Sequence, residues 1–119
     1  MTKITFYKTE DGIFYGFREN GHSGYEDAGK DIVCAAISAM TMLIINTVEV
    51  ALASDIDYKI DEESTDIEVL AKGALPKYES DKKKNYAIAS LLLGYYHQLH
   101  DILEDYYEYL DVDEVVKQI

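Results

Sequence analysis

Between Asp31 and Glu49 run seventeen residues without a charge, 32–48, and no other stretch limits the possible folds of this chain so strongly. Ile37, Met40, Ile44, Val48 and Ala51 recur at helical spacing, which predicts a helix over 31–53 with Asp31 as its N-cap. The run falls just short of the ~20 apolar residues that cross a bilayer. Ser38, Thr41, Asn46 and Thr47 also interrupt it. A buried helix is therefore expected, and because it is apolar nearly all round it needs cover on more than one side.

The flanking sequence offers that cover. Residues 2–8 and 13–19 alternate in character around Asp11-Gly12, a dipeptide suited to a tight hairpin turn, with Ile4, Phe6, Ile13, Tyr15 and Phe17 as inward candidates. The glycine-bearing segment 20–30 is too polar for regular structure. Residues 56–61 and 66–73 predict a second hairpin around the acidic turn 62–65, with Ile67, Val69 and Ala71 alternating against Glu68 and Lys72. Past Pro76 and the charged run 81–84, a second long helix is expected over 81–106, carrying Ile88, Leu91, Leu92, Tyr95, Leu99, Ile102 and Leu103. Residues 109–116 read as a short fifth strand in preference to a frayed helix end. The order predicts an α+β fold, an antiparallel sheet from two hairpins packed against two long helices. At 119 residues this is one domain, 1–119.

Charge narrows the partners. With 23 acidic and 11 basic residues the net charge is −12, which opposes a grip on nucleic acid and favours a basic partner. A single cysteine makes no intramolecular disulfide, and the N-terminus lacks the apolar core of a secretion signal, so a reduced, cytoplasmic protein without a membrane partner is expected.

Three chemistries compete around the single cysteine. Gly24 to Lys30 fits the first seven positions of the phosphate-cradling pattern G-x-x-x-x-G-K-[ST], but Asp31 stands where a hydroxyl is needed, and hairpins do not supply the parallel sheet that houses such a loop. A metal site would have to recruit Cys34, His22, His97 and His100. The second cysteine of a common zinc module is missing, so His97 and His100 read as surface or packing residues, and no metal or cofactor is expected. The third reading is nucleophilic. With Asp31 as N-cap, Cys34 falls in the first helical turn, where unpaired N–H groups favour a thiolate. His22 lies twelve residues earlier, across a glycine-rich segment that can fold back over the helix start. Ser38 follows one turn later with its hydroxyl leaning toward the sulfur. On spacing alone, an inert core cysteine stays open beside this reading.

The loop Gly21-His22-Ser23-Gly24, followed by a helix carrying Asp31-Ile32-Val33-Cys34, resembles the signature of the ribosomal-processing cysteine protease family, Prp. The likeness extends to the order of hairpin, glycine loop, long helix, second hairpin and final helix. It implies a protease with His22 and Cys34 at the catalytic positions, for which backbone N–H groups at the helix start or in the Gly21–Gly24 loop are natural oxyanion donors and Asp31 can either orient His22 or simply cap the helix. The implied substrate is large-subunit ribosomal protein twenty-seven, from which a short N-terminal extension is removed. It also implies a homodimer, for which Tyr86, Leu93 and Tyr96 offer apolar surface that one core does not cover. The rival from another class is a non-catalytic acidic binding protein that docks on a ribosomal component, with Cys34 buried and inert.

Overall fold

The computed structural model describes residues 1–21, 28–64 and 66–119, the side chains of Ala28 and Lys30 aside. Strands β1 (Thr2–Lys8) and β2 (Phe14–Asn20) pair antiparallel. Gly12 closes their turn at φ 85°, a conformation that favours glycine, and gives its N–H to the Thr9 carbonyl at 2.9 Å. The register shifts between Tyr7 and Lys8, so that Tyr7 faces Gly16, Lys8 faces Phe14, and Tyr15 is the extra residue of a bulge. The bulge corrects the expected alternation. Phe14 turns inward onto Phe6 and Tyr96, whereas Ile13 is half-buried ahead of the strand. Tyr15 stays fully buried beside Tyr7 and donates its hydroxyl to the Lys117 carbonyl.

Strands β3 (Asp57–Ile60) and β4 (Ile67–Leu70) form the second hairpin. Thr65, in its turn, lies outside the described residues. The hairpin ends at Leu70 instead of 73, because Lys72–Ala74 wind into a 3₁₀ turn that buries Gly73 and Ala74. Helices α1 (Ala28–Asn46) and α2 (Lys82–Tyr106) and strand β5 (Leu110–Val116) complete the chain. The sheet order is β3-β4-β2-β1-β5. The α+β class is as expected, but the fifth strand spans seven residues and runs parallel to β1, so the sheet is mixed and only mostly antiparallel.

The two helices meet the same sheet face. On α2, Tyr95 packs on Phe6 and Phe17 with ring centroids 5.5 and 5.1 Å away, while Ile88, Leu92 and Leu99 are fully buried. Asp81 caps this helix by accepting from the Lys83 N–H at 2.9 Å. On α1, Val33, Ile37 and Thr41 are buried, with Ile44 and, in the turn beyond, Val48. Both ends of α1 differ from expectation. It begins three residues before Asp31, and its α geometry stops at Asn46, where Thr47–Ala51 continue as a π turn. Asp31 thus lies inside the helix and is not its N-cap. One side of this segment also stays bare: Met42 is 52%, Leu43 59% and Val50 72% exposed, so the expected cover on more than one side is not met within one chain. By length and composition Asp31–Ala51 could cross a membrane, with mean hydropathy 1.8; in this fold it packs one face on a sheet.

Candidate active site

The segment between β2 and α1 leaves and returns at one place. On the outgoing side Gly21 adopts φ 85°, and a Cβ there would lie 2.2 Å from the Met1 carbonyl oxygen, so only glycine fits. On the returning side Gly29 rests against Tyr109, whose ring would lie 2.6 Å from a Cβ at that position. The Thr2 N–H donates to the Tyr109 carbonyl at 2.9 Å and ties the two stems together. His22 and Gly24 lie between these stems, outside the described residues.

Cys34 is half-buried, forms no disulfide, and sits seventh in α1. The earlier start of the helix corrects the expected electrostatics. Orphan N–H groups are confined to the first turn, 28–31, so the Cys34 amide lies within the helical ladder and the dipole acts on its sulfur from the second turn. Asp31, Cys34 and Ser38 share one helical stripe, with Asp31 and Ser38 both exposed. The stripe continues inward to buried Thr41.

There the structure reveals a group that sequence reasoning missed. Glu19, the penultimate residue of β2, is fully buried on the helix-facing side of the sheet, across from Ile4. Its Oε1 accepts from Thr41 Oγ1 at 2.5 Å and from the Tyr95 hydroxyl at 3.1 Å, joining β2, α1 and α2. Burial, and then the adjacent Glu19 carboxylate, push the Tyr95 phenol well above its ordinary range. A signal existed, since Glu19 has the same strand parity as inward-facing Phe17.

Among the described residues no group of three His, Cys, Asp or Glu side chains is placed to hold a metal. His97 is exposed, and His100 packs its ring 4.5 Å from that of Tyr96. Lys30 and Asp31 lie within α1, and β2 pairs antiparallel on both sides, unlike the strand that leads into a phosphate loop.

A half-buried cysteine on a helix whose preceding segment is held at both described stems fits the thiol-protease class. The model of the family described as Cysteine protease Prp matches residues 1–111, and the chain belongs to that family. It is accordingly a cysteine protease by family. Among solved structures, SMU.848 from Streptococcus mutans shares 24% identity over 98% of this chain and 96% of its own, with TM-score 0.79. The ribosomal processing protease Prp from S. aureus, in complex with a substrate peptide, shares 18% over 97% of this chain and 100% of its own, with TM-score 0.78. The same protease with a covalently linked product peptide gives 19% over 97% and 100%, with TM-score 0.75. No curated protein sequence matches significantly.

Proposed function

We propose that this chain is the endopeptidase that removes an N-terminal extension from large-subunit ribosomal protein twenty-seven, with Cys34 as nucleophile and His22 as its base. The observation that carries the reading is the family match over 1–111, which contains both residues, together with a Cys34 that is only half-buried. The S. aureus relative is named as a ribosomal processing protease, which supports the substrate class.

In this reading His22 accepts the Cys34 thiol proton, and the thiolate adds to the scissile carbonyl. His22 then passes the proton to the departing amine, leaving a thioester on Cys34. Water attacks the thioester while His22 takes its proton, the carboxylic product departs, and the thiolate recovers that proton. Backbone N–H groups near Gly21 and Gly24 serve the oxyanion, and Asp31 and Ser38 are supporting groups on the Cys34 stripe. A cytoplasmic protein acting on a basic partner fits the net charge of −12. Purified chain mixed with the extended ribosomal protein should give one defined cut by mass spectrometry. An intact substrate beside a Cys34 that resists iodoacetamide until denatured would favour the non-catalytic binding role.

The proposal includes a homodimer. Leu43 is exposed in a groove between α1 and α2 that Met40, Ile44 and Leu91 also line, and a second copy of the same surface would cover it. Nothing lies within 4 Å of a Cβ built at Gly94 in that groove, so Gly94→Arg should split the dimer without disturbing the fold. Light scattering that shows only a 13.5 kDa species for the native chain would refute the pairing.

A further inference from the structure

A buried carboxylate is costly unless hydrogen bonds or opposite charge offset its lost hydration, and apolar side chains of similar size often serve stability as well or better. Glu19 is fully buried among Phe17, Thr41 and Tyr95, in a position where a leucine would suit the core. Its placement joins the two parts of the proposed site. Two residues after Glu19, at Gly21, the chain leaves for the segment that contains His22. Thr41, which donates to Glu19, lies two helical turns from Cys34 on the same stripe, roughly 10 Å along the axis at 1.5 Å per residue.

We propose that Glu19 is a positioning residue for the cysteine chemistry: its carboxylate, held by Thr41 on α1 and Tyr95 on α2, fixes the end of β2 against the helix that bears Cys34. The inference rests on the protease reading. Strand β2 and helix α1 are joined through a segment whose described stems meet at Met1 and Tyr109, so their relative height farther along the helix depends on contacts between the layers. Apolar packing tolerates sliding of a few tenths of an ångström, whereas two hydrogen bonds to one oxygen do not. Reacting groups are sensitive to that scale, because a misplacement of about 1 Å can cost roughly a hundredfold in rate. The clamp therefore acts on turnover and leaves peptide affinity alone.

Three variants separate this role from a merely structural one. Glu19→Leu removes both bonds while keeping an apolar fill, and should lower kcat by about tenfold with KM within about twofold and melting temperature unchanged or higher. Glu19→Gln keeps a carbonyl acceptor for Thr41 and Tyr95 and should restore kcat to within about threefold of the native rate. Thr41→Val should lower kcat as Glu19→Leu does, and the double variant should be no slower than either alone. Native kcat in a well-folded Glu19→Leu would overturn the proposal, as would a kcat loss that merely tracks lost stability across the series. If Glu19→Leu does not fold, the Thr41→Val and Glu19→Gln comparison decides alone: native kcat in Thr41→Val overturns the clamp. The alkylation rate of Cys34 in the native chain distinguishes failure of the underlying reading. A reactive Cys34 with native turnover in the variants refutes only the clamp, while an inert native Cys34 refutes both.

Discussion

Cys34→Ala replaces a half-buried thiol by the best helix former, so it should abolish cleavage while leaving the melting temperature within a few degrees of native. Cleavage surviving at a tenth of the native rate would remove Cys34 as nucleophile. Gly21→Ala should behave differently. It meets both a positive φ of 85° and the Met1 carbonyl at 2.2 Å, so it should destabilise the fold by roughly 1–3 kcal/mol in urea titration as well as slow turnover. At this scale the sequence draws attention to a residue where its type is rare. One cysteine, and a histidine between two glycines, stand out in any reading of 119 residues. Glu19 did not, because a carboxylate between Arg18 and Asn20 looks like a solvated strand end. Its burial depends on Thr41 and Tyr95, 22 and 76 residues away in sequence.

Elements were legible wherever their pattern is local. The helical period along α2 and the Asp-Gly turn of the first hairpin needed no distant partner. Their ends were less so. Asp31 looked like an N-cap since it borders the uncharged run, yet the preceding Ala28, Gly29 and Lys30 continue the helix, with Gly29 close against Tyr109. Asp81 is the residue that caps by geometry, accepting from the Lys83 N–H. The two aspartates should therefore differ in urea titrations. Asp81→Ala should cost about 1 kcal/mol through its lost cap, and Asp31→Ala about half that, through its interaction with the helix dipole alone. The bulge at Tyr15 had no sequence signal, because Ile13, Tyr15 and Phe17 alternate as well as any unbulged strand. The parallel pairing of β5 is likewise a property of the helix that returns the chain to β1, not of the strand's own residues.

For the whole molecule, tyrosines govern the alkaline limit. The Tyr7 phenol is pushed up to about 12 by burial and by its hydrogen bond to Glu68, and Tyr15 and Tyr96 are raised, chiefly by burial. A phenol whose folded pKa exceeds its unfolded value contributes stability that is fully present below the unfolded pKa near 10 and is lost as pH rises through the folded one. Stability should thus fall between about pH 10 and about pH 12, and Tyr7→Phe should flatten that fall in urea titrations across the window. An equally steep fall in Tyr7→Phe would assign the alkaline limit to the other tyrosines.

The net charge of −12 acts at the same scale, through association with the proposed basic substrate. Long-range attraction raises the encounter rate with a cationic protein and is screened as the Debye length shrinks from ~14 Å near 0.05 M salt to ~4 Å near 0.5 M. In the proposed mechanism the thiol, the base and the scissile carbonyl meet at contact distance once the peptide is seated, where added salt has little access. Raising salt over that range should therefore lower kcat/KM several-fold through KM while leaving kcat within about twofold, and a neutral peptide spanning only the cut should show neither effect. A kcat that falls in step with kcat/KM would locate the salt-sensitive charges inside the reacting complex, and the acidic surface would lose its role in capturing substrate.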